Sequence, residues 1–213
     1  MPGAPAVEPK RRRRSREEAE REILAAAAAL LRERPLHEVS VSAIMERTTL
    51  SRKSFYVYFR DRYDLLARLF APLRRQLDEA NELFLDRPSG ELFTGDALRA
   101  VAHFHAGPDG ALVRALHEAS AYDGEAARVW REFNEPVIAA FTRRIERAVA
   151  AGDVPAGLDV EPTVRALVGM NLFCLFDQVV GNPGADVDAV AATLFTVWAR
   201  TFLLTDADAA PAR

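Results

Sequence analysis

The stretch SRKSFYVYFRDR, residues 51–62, sets Phe55, Tyr56, Tyr58 and Phe59 within five positions, bracketed by Arg52, Lys53, Arg60 and Arg62. As a strand it would place Phe55, Val57 and Phe59 on one face and Ser54, Tyr56 and Tyr58 on the other. As a helix it would pair Phe55 with Phe59 on one side and group Arg52, Lys53 and Tyr56 on another. The neighbours decide between the two. Ser15-Arg-Glu-Glu18 is a capping-box signature, followed by Ile23, Ala27, Leu30 and Leu31 at helical spacing until Pro35 stops the run. Ser40 offers a cap to a short helix carrying Val41, Ile44 and Met45. Thr48, Thr49 and Leu50 intervene before Ser51 offers another cap. Asp61 then caps a long helix with Leu65, Leu66, Leu69, Phe70, Leu73 and Leu77 along one side.

Beyond a turn-rich stretch at Arg87-Pro-Ser-Gly90 and Thr94-Gly95, further helices are expected near 96–105, 110–121, 124–150, 161–181 and 186–204. No alternating pattern supports a strand and no repeat recurs at a fixed period. The expected fold class is all-α. A strand at 54–59 would therefore lack a partner, and residues 40–59 become short helix, tight turn, short helix: a helix-turn-helix. The expected organisation is a disordered basic tail (1–14), a three-helix domain (15–60), a connecting helix (61–85), a larger helical domain (86–204) and a second disordered tail (205–213).

On the second short helix, Phe55 and Phe59 form the buried stripe with Ile44, Met45 and Leu50, leaving Arg52, Lys53, Ser54, Tyr56 and Tyr58 facing out. Two cations in a first turn oppose the helix dipole, at a cost of about 0.3–1 kcal/mol each. An anionic partner outside the protein accounts for them. Arg and Lys bond guanine edges in a major groove, while hydroxyls and phenols bond phosphates. Arg62 can reach the backbone just beyond, and the Ser40 cap leaves N–H groups for a phosphate. Charge agrees with this division. Residues 1–70 hold 15 Lys/Arg against 10 Asp/Glu, and the remainder holds 13 against 21, within a net −3.

From Glu22 to Phe70 the chain resembles the TetR family of bacterial repressors. Leu50-Ser51-Arg52, Phe55-Tyr56-x-Tyr58-Phe59 and Asp64-Leu65-Leu66 carry the likeness. Arg34-Pro35-Leu36 extends it toward a mycobacterial member. The resemblance implies an operator of double-stranded DNA, contacted through Ser40, Thr49, Ser51, Arg52, Lys53, Ser54, Tyr56, Tyr58 and Arg62. Where the family has Ala-Gly at the turn, this chain has Thr48-Thr49. A β-branched residue is ill suited to positive φ, so a reshaped turn with Thr49 at the DNA is expected, and an operator sequence does not carry over.

Residues 161–181 are apolar nearly all round and must pack on two sides. Asn171 interrupts them. Its amide either bonds a neighbouring helix or anchors a ligand in a pocket. Phe104, Trp130, Phe133, Asn134, Phe173, Phe176 and Trp198 are the aromatic and amide candidates for the pocket wall. The resemblance raises the pocket reading at Trp130, Asn171, Phe176 and Trp198, and implies a homodimer through the last two helices. It also implies a small, largely apolar effector that loosens the grip on DNA.

Other classes find less support. Of four histidines, His103 and His105 point about 200° apart on a helix and cannot chelate one metal. HExxH, GxSxG, Walker A and Rossmann glycine patterns are absent, so no enzyme activity, metal or cofactor is expected. A helical adaptor with a basic docking face remains as the alternative. The single cysteine, Cys174, fits a reducing cytoplasm. Arg11–Arg14 before an apolar run imitates a signal peptide, but four glutamates between 17 and 22 and the charged Arg32-Glu33-Arg34 spoil it. The same arginines are either solvated, follow DNA phosphates or enter a minor groove. No run approaches the roughly 20 apolar residues of a membrane span.

Overall fold

Ser15 begins the first helix with a complete capping box. Its hydroxyl accepts from the Glu18 N–H, and the Glu18 carboxylate accepts from the Ser15 N–H. The computed structural model describes residues 15–85 and 95–203, apart from the side chains of 83, 84 and 203. Both tails, Arg11–Arg14 and the turn-rich stretch at 87–90 lie outside the described residues. Helix α1 spans Arg16–Glu33 and a 3-10 turn Leu36–Glu38; α2 spans Val41–Glu46, α3 Arg52–Tyr58 and α4 Arg62–Leu85. Then follow α5 (Asp96–Ala106), α6 (Gly110–Ser120), α7 (Gly124–Ala151), α8 (Val160–Gln178) and α9 (Val187–Leu203). Among the described residues there is no strand, and no helix is long and apolar enough to cross a membrane.

The stop signals act as their chemistry requires. Gly152 closes α7 in the left-handed region at φ 82°, and the Asp153 N–H bonds back to the Ala148 carbonyl. Helix α8 ends at Gln178, three residues short of the expected 181, because Val179 to Gly181 turn on bonds to Leu175 and Gly181 takes a positive φ. Asp61 caps α4 through the N–H groups of Tyr63 and Asp64.

The main core gathers Ile23, Leu30, Ile44, Phe55, Phe59, Leu65 and Phe70 from α1–α4 with Leu112, Leu116, Val129 and Phe133 from α6 and α7. The first three helices are therefore sealed against the rest of the chain by shared apolar burial. Polar links reinforce the contact: Arg32 of α1 bonds Asp109 at 2.8 Å and the Pro108 carbonyl at 3.0 Å. A second cluster packs α7, α8 and α9 around Ile145, Val164 and Phe202. Helix α4 runs from the first group of helices into the second, with Leu65, Leu66 and Phe70 in the main core and Leu77 further along.

Candidate functional site

The helix-turn-helix forms as expected, with a turn of a different construction. The Ser40 hydroxyl accepts from the Ala43 N–H at 3.1 Å and starts α2. No non-glycine residue among those described has positive φ. Thr48 does what a glycine's freedom would do elsewhere. Its hydroxyl donates to the Met45 carbonyl (2.8 Å) and accepts from the Leu50 N–H (3.2 Å). The next N–H, that of Thr49, is held by the Glu22 carboxylate of α1 at 2.6 Å. The turn is thus built from side-chain bonds and leaves Thr49 exposed.

On α3, Phe55 and Phe59 are fully buried with ring centroids 5.4 Å apart. Arg52 and Lys53 are exposed and make no ion pair among the described residues. Tyr56 is 59% exposed and Val57 66%. Two expectations need correction here. Ser51 does not cap the helix: its hydroxyl sits 2.9 Å from that of Ser54, a partner one turn on that outcompetes the backbone. Arg62 does not face outward; it bonds Asp123 at 2.8 Å and the Tyr63 hydroxyl at 2.5 Å. Asp123 also accepts from Tyr63 and caps α7 through the N–H groups of Glu125 and Ala126. Burial works against ionisation of Asp123, yet the Ala126 N–H, Tyr63 and Arg62 together hold its carboxyl below the ordinary value. Tyr58 is only half-buried and packs on the core, and Ser54 is half-buried too. Sequence reasoning missed Val57. Its signal was available, since it lies one residue from Tyr56 and off the Phe55–Phe59 stripe.

A cavity lies between α4, α5, α7, α8 and α9. It has about 840 Å³ of space free of protein atoms, mouth included, but only about 80 Å³ can hold the centre of a water molecule. It is narrow, and among the described residues its wall carries no Asp, Glu, Lys or Arg. Of the residues singled out for a pocket wall, Phe133, Asn134, Asn171 and Trp198 line it. Phe104, Trp130, Phe173 and Phe176 do not. Trp130 stacks on the outside of Phe133 at 5.9 Å, and Phe176 meets the rings of His105 and His117 at 5.8 and 5.2 Å, one ring removed from the space. Phe104 packs against the main core beside His105. Phe173 is 69% exposed, for a geometric reason: two residues beyond Asn171 it lies on the opposite side of α8. Leu77, Asn81, His105, Val137, Phe141 and Phe195 belong to the wall and were not anticipated.

Asn171 is committed on one side. Trp Nε1 only donates, so the Asn171 oxygen faces Trp198 at 3.1 Å and Nδ2 points elsewhere. His105 is 2% exposed and stands where α5 meets α6 so closely that a Cβ on Gly110 would fall 2.0 Å from its carbonyl oxygen. Its Nδ1 lies 2.8 Å from the Val101 carbonyl, which only accepts, so Nδ1 carries the proton. Its Nε2 is buried without a partner among the described residues.

Residues 23–69 match the family described as "Bacterial regulatory proteins, tetR family", and residues 95–178 match "Tetracyclin repressor-like, C-terminal domain". The chain belongs to the TetR family. This TetR-family chain, a helix-turn-helix transcriptional regulator by that membership, is 29% identical over 179 residues to the HTH-type transcriptional regulator EthR of Mycobacterium tuberculosis, covering 83% of each chain. EthR of Mycolicibacterium smegmatis is 28% identical over 187 residues. A TetR-family transcriptional regulator of Syntrophomonas wolfei shares the fold with a TM-score of 0.73 at 19% identity, covering 90% of this chain and 100% of the other. FadR of Bacillus subtilis, in complex with stearoyl-CoA, does so with 0.67 at 18%, covering 83% and 96%.

Burial lowers the pKa of His105 and of His117 in this TetR-family fold. The unfolded chain binds those protons once the pH falls below the ordinary value of 6.5, while the folded chain refuses them. The stabilisation is therefore whole above that value and is lost as pH falls below it. Melts between about pH 7.5 and about pH 5 are expected to show a falling midpoint, and His105→Phe should flatten the fall. Equal slopes for the two proteins would mean that His105 is not the group refusing the proton.

Proposed function

We propose that this chain is a repressor that binds a palindromic operator as a homodimer and releases it when a small, largely apolar effector fills the cavity. One observation carries this reading. Helix α4 packs the helix-turn-helix through Leu65, Leu66 and Phe70, and the same helix lines the cavity through Leu77 and Asn81. An effector pressing on one end of α4 moves the other end, where Arg62 is latched to Asp123. In this reading residues 15–60 bind DNA, 61–85 connect, and 86–204 bind effector and dimerise, all in the cytoplasm.

The contacts proposed for DNA are Ser40, Thr49, Ser51, Arg52, Lys53, Ser54, Tyr56 and Tyr58, with Val57 added as an apolar side chain suited to a thymine methyl. Arg62 is reassigned from DNA contact to latch. Dimerisation is assigned to α8 and α9, because the large apolar side chains Phe173 and Val197 stand exposed on these two mostly apolar helices. The B. subtilis FadR complex supports an acyl-type effector as one class that this fold accommodates. To empty the operator the effector must favour the non-binding state by a few kcal/mol.

The test is selection of genomic DNA fragments by the purified protein, repeated across a salt series. The bound fragments should share an inverted repeat whose half-sites lie about one helical turn apart. Arg52→Ala should weaken binding to that repeat without moving the melting midpoint, since the side chain is exposed and unpaired. Binding to scrambled DNA as tight as binding to the repeat at moderate salt would refute the repressor and favour a basic docking module.

A further inference from the structure

The cavity wall is more selective than its apolar lining suggests, and His105 is the reason. Its ring lines the space, its Nδ1 proton is committed to Val101, and its Nε2 lone pair is sealed from solvent with nothing among the described residues to donate to it. The wall's other polar groups do not relieve it. Trp198 spends its only donor on Asn171. The rings nearest His105, Phe104 and Phe176, carry no donor at all. Protonation offers no escape, because burial holds the imidazole neutral.

A buried acceptor left bare is costly in any fold, and most are satisfied. The missing donor can come from a ligand in the adjoining space, which must open a little further to admit one, since no water-sized group touches Nε2 as it stands. Asn171 complements it, since the amide turned toward Trp198 leaves Nδ2 to donate. With no charged side chain among the described residues of the wall, an ionised ligand group would meet no counter-charge there.

We propose that the effector of this cavity is an uncharged, slender apolar molecule ending in a hydroxyl or primary amide, whose proton is accepted by His105 Nε2. His105 is thus the specificity-determining residue of the site. The proposal rests on the reading of the cavity as the effector site. A hydroxyl or amide has what each of these two groups needs, a proton for His105 and an acceptor for Asn171. An ether or ester satisfies only Asn171, and a carboxylate brings a charge the wall cannot balance.

The probes are decanol, its isomer methyl nonyl ether, and decanoate, titrated into the full chain while following tryptophan emission, since Trp198 stands in the wall. Decanol should bind about fivefold to tenfold more tightly than the ether, the worth of one buried hydrogen bond, and decanoate more weakly than decanol. In nitrogen NMR of the labelled wild-type protein, the His105 Nε2 resonance should move on adding decanol and stay still on adding the ether. His105→Phe should bind the two isomers alike; if that variant does not fold, the wild-type resonance decides alone. Equal binding of the isomers with an unmoved Nε2 would overturn the role of His105 while leaving an apolar effector site intact. Tighter binding of decanoate would overturn the uncharged ligand. No binding of any probe, with emission unchanged, would take down the cavity reading and this proposal with it.

Discussion

Phe173→Asp is expected to leave the chain folded and monomeric, and to lower operator affinity on the order of 100-fold, the avidity that a second linked half-site confers. The side chain is 69% exposed on the single chain, so its loss costs the fold little. Across a two-fold axis every interface residue acts twice. Fully burying a Phe is worth about 1.5–3 kcal/mol, hence about 3–6 kcal/mol for the pair, before the cost of desolvating two carboxylates. Ala166, Gly169 and Phe173 stand exposed along the same side of α8, and Val197 on α9 is 37% exposed. Sedimentation and melting of the variant, alongside operator titration, decide the matter. A variant that stays dimeric would place the interface elsewhere, and one that unfolds would make Phe173 a core residue after all.

How far Phe173 could be read from the sequence is instructive. The helix was legible because its breakers are local: Gly152 to Gly157 before it, Asn182-Pro-Gly184 after it. Its sides were not, since a run that is apolar all round has almost no preferred face. Spacing still held one clue. Asn171 and Phe173 are two residues apart, and no regular helix turns both into one cavity. The helix-turn-helix was more legible because α3 is amphipathic: Phe55 and Phe59 in, Arg52, Lys53 and Tyr56 out, as the spacing required. Partners distant in sequence escaped. Arg62 looked free until the fold brought Asp123, 61 residues on, to within 2.8 Å. Likewise nothing local distinguishes His105, which lines the cavity, from His103, which pairs with Asp188 at 3.1 Å on the surface.

Phe55→Ala should remove operator binding by a different route. Helix α3 has seven residues, no backbone cap from Ser51, and two cations against its dipole. Alone, so short a helix would not persist. What holds it is Phe55, wholly buried and in ring contact with Tyr56 and Phe59. Truncation of such a residue costs about 3–5 kcal/mol, a large part of a typical domain's stability. Because the same core continues into α6 and α7 through Leu112, Leu116 and Phe133, the loss should also lower the melting midpoint of the whole chain. Hydrogen exchange then separates two outcomes. Fast exchange over α2 and α3 with slow exchange retained in α7 and α8 would mean that α3 has come loose locally. Uniform acceleration would mean that the helix-turn-helix and the cavity share one folding unit. In either case operator affinity and stability fall together, whereas Arg52→Ala is expected to lower the first alone. A Phe55→Ala protein that melts like the wild type would show that α3 is held by something other than its aromatic stripe.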